Sequence, residues 1–213
     1  MQEDQEKRWR RRSDARPAEL TAAAFALFAE QGFAATRLED VATRAGVSKA
    51  TIYRYFDGKD ALFEAVVKAA ISPRFAEAEL LLEAFEGSSG DLLRTFFKLA
   101  RGALAGPLPA LLKMIVSESG TFPQLATLWA DLGVSRMLGL VRRIIARGIA
   151  RGEFRAVDLE TIAPLVAAPV FLLGVWKQTF SHTQVQFDEA RVLDQHIDLL
   201  LRGLARASKE PES

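Results

Sequence analysis

The sequence predicts an all-α protein, with an N-terminal three-helix domain built around a helix-turn-helix corner and a C-terminal helical bundle. Three observations carry this. Apolar residues recur at spacings of three and four along most of the chain, and no alternating apolar–polar pattern persists. Residues 36–56, TRLEDVATRAGVSKATIYRYF, hold the start and stop signals of two short helices and a tight turn. Glycine and proline clusters at 87–90, 106–109 and 120–123 cut the remainder into helix-length pieces.

The first sixteen residues read as a basic, flexible arm. Between Lys7 and Arg16 lie six basic residues, one acid and Trp9. Such an arm can neutralise phosphates or reach a minor groove; the alternative is a solvated tail. No apolar stretch follows it, so it does not read as a signal peptide. Pro17 suits a first helical position, where its missing N–H is no loss. Leu20, Ala23, Ala24, Leu27 and Phe28 form the buried stripe of the helix it opens. Gly32 ends that helix, and Phe33 can fold back onto it.

Thr36 and Glu39 have the spacing of a capping box, in which each side chain satisfies the other's backbone N–H. Leu38, Val41, Ala42 and Ala45 then line one face of a helix. Gly46 sits where a helix commonly ends in the left-handed conformation, and Val47 can plug the corner. Ser48 is a good N-cap for a second helix over 49–56. There Ile52 and Phe56 point one way, while Lys49, Thr51, Tyr53, Arg54 and Tyr55 point elsewhere. Two helices joined in this way form the layout whose second helix enters the major groove of DNA. The same geometry also occurs in all-α proteins that touch no DNA.

A fourth helix is expected from about Gly58 or Lys59 to Ile71, with Leu62, Phe63, Val66 and Val67 inward and Pro73 closing it. Further helices follow over 75–85, 91–105, 111–119, 124–150, 158–179 and 187–207. The 124–150 pattern is the longest, through Leu125, Leu128, Trp129, Leu132, Leu138, Val141, Ile144 and Ile145. The resulting division is a basic arm (1–16), a helix-turn-helix DNA-binding domain (17–66), a helical domain (67–208) and a tail (209–213).

Composition narrows the function. The chain has 213 residues, about half of them apolar, which suffices for a sizeable core. Its formal net charge of +1 gives no global basic signature, which argues against indiscriminate coating of DNA but leaves local recognition open. There is no cysteine, so disulfide and thiolate chemistry are excluded and a cytoplasmic location fits. The longest uncharged apolar run, 162–176, is shorter than a bilayer requires and holds Pro164 and Pro169. It reads as a buried helix with a kink, with no membrane partner expected. His182 and His196 are the only histidines, fourteen residues apart and outside any metal-ligand spacing. No nucleophile elbow or phosphate-cradling glycine loop occurs. No catalytic residue, metal or cofactor is therefore expected.

Residues 20–66, including LFAEQGF, AGVS, TIYRYF and GKDALF, resemble the N-terminal domain of the TetR family of transcriptional regulators, of the AcrR-like kind. Arg37 and Leu38 replace commoner small or β-branched residues, and Tyr55 stands where histidine is frequent. The later segments SESGTFPQLATLWADLG and IARGEFRAVD are weakly similar to the family's effector domains. The resemblance alone implies that 67–208 is a ligand-binding and dimerisation domain, and that the protein is a homodimer whose last two long helices build a four-helix interface. It also implies a double-stranded DNA operator and a small-molecule effector. Carried onto this chain, it puts Thr36 and Arg37 on the DNA backbone. Ser48, Lys49, Ala50 and Thr51 would lie on phosphates or base edges, Tyr53 and Tyr55 on phosphates or thymine methyls, and Lys59 on a phosphate.

The expected reading is a repressor that grips a palindromic operator and is released by a small apolar molecule. Bundle interiors commonly hold such ligands among apolar and aromatic groups. The candidates are Phe96, Phe97, Met114, Phe122, Trp129, Met137, Trp176 and Phe180, with Ser117 and Glu118 as polar partners. A constitutive architectural DNA binder without ligand is the alternative. An all-α enzyme is disfavoured, because the sequence offers no convergent set of titrating groups.

Overall fold

The computed structural model describes residues 2–206, with the backbone alone over 2–16. The side chains of the expected basic arm and the whole of the expected 209–213 tail lie outside the described residues. Among the described residues there is no strand, only an isolated antiparallel bridge between Phe154 and Ala205. The chain forms two compact units. One comprises the residues up to Ile71 together with Met114–Trp129. The other comprises Ser72–Lys113 and the residues from Ala130 onward.

The first unit begins with α1, Gln2–Ala35. Pro17 lies inside this helix rather than opening it. The preceding residues are mostly Glu, Gln, Lys and Arg, all good helix formers. Gly32 breaks the helix where expected, at φ 86° and ψ 167°, a conformation open essentially to glycine. A Cβ there would also lie 2.5 Å from the Glu118 carboxylate. Phe33 folds back and is buried, its ring 5.5 Å from Phe28 and 5.4 Å from Phe63. Phe122 adds a fourth ring, 5.1 Å from Phe33. Three of these four pairings among Phe28, Phe33, Phe63 and Phe122 are edge-to-face, the arrangement the ring quadrupole favours.

The break strands carbonyls at the end of α1, and Lys59 satisfies two of them. Its ammonium donates to the carbonyls of Phe33 (2.7 Å) and Ala34 (3.1 Å) and stands 4.4 Å from the centroid of the Phe33 ring. A cation at a helix C-terminus is also favoured by the helix dipole.

Next come α2, Leu38–Arg44, and α3, Lys49–Tyr55. Their junction is as expected. Gly46 has φ 66°, with Gly46 N–H donating to the Thr43 carbonyl (3.1 Å) and Val47 N–H to the Ala42 carbonyl (2.9 Å). This pair of bonds is the Schellman ending of a helix. Ser48 caps α3, accepting from the Thr51 N–H at 3.2 Å. Ile52 and Phe56 are buried beneath it.

The start of α2 differs from expectation. The N-cap is Arg37, one residue later than Thr36. The Asp40 carboxylate, not Glu39, reaches back to accept the Arg37 N–H at 3.3 Å. Only this half of a capping box can exist, because a guanidinium offers no acceptor. Thr36 is instead buried, its hydroxyl donating to the Gly32 carbonyl at 2.7 Å and accepting from Gln31 at 3.2 Å.

Helix α4 runs Lys59–Ala84, straight through Pro73. The expected end at Ile71 is thus not a helix end, although the division between units falls at that point. A helix can continue past a proline at the loss of one internal hydrogen bond.

The second unit contains the rest of α4 and α5 (Ser89–Leu104), and the first residues of α6 (Leu108–Glu118). Helices α8 (Ser135–Ala150), α9 (Leu159–Thr179) and α10 (Glu189–Leu204) complete it. Its core includes Leu92, Leu93, Phe97, Val141, Ile144, Ile145, Val166 and Leu173. The linker after α4 is tied down by Arg147, which donates to the carbonyls of Phe85 (2.8 Å) and Gly87 (2.9 Å). Glu153 accepts the Ser89 N–H.

The expected helix over 124–150 is continuous, interrupted only by a change of pitch. Helix α7, Pro123–Trp129, belongs to the first unit, and a π-helical turn, Ala130–Val134, precedes α8. Leu125 is buried in α7, and Leu140, Val141, Ile144, Ile145 and Gly148 in α8.

Two substitutions test the end of α1. Gly32→Ala should cost about 1–3 kcal/mol from backbone strain alone. Lys59→Met, which keeps the stem but deletes the donor, should cost about 1–2 kcal/mol. Both should lower the urea midpoint; a wild-type midpoint for Lys59→Met would mean its two hydrogen bonds carry no net stability.

Candidate nucleic-acid interface

The corner of α2 and α3 fixes one side of α3 and leaves the other free. Ile52 is fully buried, so α3 cannot rotate about its axis. The rest of the helix surface leaves Ser48, Lys49, Ala50 and Tyr53 exposed, with Thr51 half-buried. Lys49 is two-thirds exposed and Tyr53 46% exposed, far more than the core allows for an aromatic ring. Ser48 and Thr51 share a hydroxyl–hydroxyl hydrogen bond of 2.8 Å, which fixes the helix start. Tyr55 is half-buried, and its hydroxyl accepts from Arg54 at 3.1 Å while the guanidinium stands 5.0 Å from the ring centroid. Arg37 is exposed at the start of α2.

Acidic residues pair the basic ones around this face. Arg44 makes a two-pronged contact with Glu30, at 2.5 and 2.7 Å, which ties α2 to α1. That contact holds the Glu30 carboxyl below its usual range, chiefly through the Arg44 hydrogen bond. Lys49 lies 2.7 Å from the Glu39 carboxylate, which also accepts from the Tyr53 hydroxyl at 3.2 Å. The Lys49 hydrogen bond is the main reason that the Glu39 carboxyl is lowered to about 2.

Two of the expected DNA contacts are already engaged within the chain. The buried Thr36 side chain spends its hydroxyl on Gly32 and offers nothing to a phosphate. Lys59 is occupied as the cap of α1, so its first role is internal. Glu39 and Arg54 were not among the expected interface residues. Glu39 was assigned to a capping box, and only the ten-residue separation from Lys49 across a tight turn hinted at another use.

The expected ligand residues divide between the units. Met114, Ser117, Glu118, Phe122 and Trp129 fall in the first. Met114 is buried, Phe122 joins the ring cluster on Phe33, and Glu118 packs against Gly32. Phe96, Phe97, Met137, Trp176 and Phe180 fall in the second. Phe96 and Phe97 meet edge to face at 6.3 Å, and Phe97 packs on His196 at 5.6 Å. His196 also faces the Val166 carbonyl at 3.3 Å, and burial pushes its pKa down. Trp176 stacks between Phe180 and Phe187, each 4.7 Å away, near the end of α9. Among the described residues no cluster of His, Cys, Asp and Glu could hold a metal ion. Helix α9, at 21 residues, is long and apolar enough by composition to cross a membrane, a test that core helices of soluble proteins also pass.

Comparison with known proteins agrees with this arrangement. Residues 20–66 match the bacterial regulatory proteins of the tetR family, and residues 86–193 match the tetracyclin repressor-like C-terminal domain. The chain is 27% identical over 169 residues to the uncharacterized HTH-type transcriptional regulator YdeS of Bacillus subtilis, covering 78% of this chain and 82% of that one. It is 22% identical over 202 residues to the HTH-type transcriptional repressor KstR2 of Rhodococcus jostii, covering 89% and 91%. Among solved structures, a TetR-family regulator from Mesorhizobium loti superposes with a TM-score of 0.72 at 26% identity, covering 92% of this chain and 99% of that one. The fatty acid degradation regulator FadR from Bacillus halodurans shares the fold, with a TM-score of 0.73 at 16% identity over 87% and 94%. With both halves matched and the DNA-reading corner in place, this chain belongs to the TetR family of DNA-binding transcriptional regulators.

Proposed function

We propose that the protein is a ligand-responsive repressor that binds a near-palindromic operator as a homodimer. The observation that carries this reading is the free edge of α3, where Ser48, Lys49, Ala50 and Tyr53 stand exposed on a helix pinned by Ile52. Two such helices, one per subunit, would enter successive major grooves about one helical turn apart. Lys49 would meet a phosphate or base edge and Tyr53 a phosphate or thymine methyl, with Ala50 and Thr51 on base edges and Arg37 and Ser48 on the backbone. Phosphate contacts position the reader, and base contacts choose the site.

Exposed apolar residues on the last two helices support the dimer. Leu165 (57% exposed) and Leu172 (52%) lie seven residues apart on one side of α9, with the exposed Ala168 between them. On α10, Leu199 is 68% exposed. Large apolar side chains grouped in this way mark an association surface, and four helices, two from each subunit, would cover them.

The effector we propose is a small apolar molecule, held in the second unit near Phe96, Phe97 and Met137. It releases DNA only if it binds better to a conformation in which the two α3 helices no longer match successive grooves. As a regulator of transcription, the protein acts in the cytoplasm, where its operator lies.

Two experiments test the reading. A gel shift against the DNA flanking the protein's own coding region, with excess competitor, should give a discrete band that survives competition. If that fragment and a random-sequence selection both fail to yield a preferred site, operator recognition is wrong. Leu165→Glu with Leu172→Glu should give a folded monomer in sedimentation that binds the operator poorly; a variant that stays dimeric would move the interface off α9.

A further inference from the structure

Lys49 and Tyr53, the two side chains best placed to grip a phosphate, are already engaged by a carboxylate. They lie one turn apart on α3. The Glu39 carboxylate, carried by α2, takes the Lys49 ammonium at 2.7 Å and the Tyr53 hydroxyl at 3.2 Å through the same oxygen, Oε1. The ammonium stands 5.7 Å from the Tyr53 ring centroid, so the three groups form one surface cluster. All are exposed: Lys49 by 67% and Glu39 by 41% of the side chain, and Tyr53 by 46%. The cluster therefore contributes little to the core, since exposed ion pairs add little stability. What it does occupy is one anion position, with an ammonium and a phenol as its donors. A DNA phosphate oxygen would use the same two donors.

We infer that Glu39 acts as an internal competitor of DNA phosphate for Lys49 and Tyr53, weakening the grip of the protein on DNA of arbitrary sequence. The inference rests on the proposed use of α3 to read DNA. Its physical basis is counterion release. A lysine that meets a phosphate releases condensed cations and adds about 0.9 to the salt slope of binding. A lysine already paired with Glu39 must first give up that partner, so part of the gain on DNA lacking base contacts is offset. The Glu39 carboxyl stays ionised across the physiological range, because the Lys49 hydrogen bond, chief among its contacts, lowers it to about 2. The competitor is thus always present. The near-neutral charge of the whole chain, +1, fits a reader that avoids coating DNA.

The test is a double-mutant cycle on the full chain. Binding to a short random-sequence duplex is measured against salt for the wild type, Glu39→Gln, Lys49→Gln and the double variant. Glu39→Gln keeps the side-chain volume and an acceptor for Tyr53, so the corner should stay folded. It should steepen the salt slope by about one and tighten low-salt binding several-fold. Lys49→Gln should change the slope by far less than one in the wild type, yet flatten it by about one in the Glu39→Gln background. An equal effect of Lys49→Gln in both backgrounds, or none in either, overturns the competition while leaving DNA binding intact. If no variant binds the duplex at any salt, the DNA-reading assignment of α3 fails, and this inference fails with it.

Discussion

Two carbonyls at the end of α1 set the conditions for the first unit. The helix is broken at Gly32, and the kink puts Phe33 among Phe28, Phe63 and Phe122. Stopping leaves backbone acceptors without helical partners. Lys59 meets that need from the start of α4 and in doing so fixes the distance between the two helices. The four phenylalanine rings then fill the space this leaves, and Glu118 lies against the Gly32 backbone. Ala34 and Thr36 follow within a few residues, so the position of α2, and through the Schellman turn that of α3, depends on this junction.

The same economy of charge appears on the outer surface. Arg44 is used on Glu30, Lys49 on Glu39 and Lys59 on backbone. The corner offers DNA fewer unpartnered cations than its sequence suggests. On the proposed reading, such a corner would lean on shape and on base contacts for its hold, with phosphate attraction held in reserve. That balance suits a protein that must find one site among many.

Much of this was legible in the sequence. The all-α class, the Gly32 and Gly46 breaks, the Ser48 cap and the buried Ile52 and Phe56 follow from local chemistry, where a residue type and its neighbours suffice. The departures share a different cause. Thr36–Glu39 and Arg37–Asp40 both offer acidic residues three positions on, and the buried Thr36 hydroxyl, spent on the Gly32 carbonyl, decides between them. Lys59 looks like any exposed lysine until the carbonyls it meets, some twenty-five residues earlier, are brought to it. Pro73 and Pro17 read as helix boundaries, yet each sits within a helix, where packing and good helix formers on both sides outweigh one lost bond. The character of a side chain does not say which unit it joins, and the expected ligand residues divide between the two.

The π-helical turn at Ala130–Val134 also bears on which face each later residue takes. Such a turn holds one residue more than the α-helical repeat allows. A helical wheel drawn unbroken through 124–150 is therefore correct on one side of the turn and off by roughly 100° on the other. The faces assigned along α8, that of Met137 in the proposed effector site included, hold only when that one residue is counted.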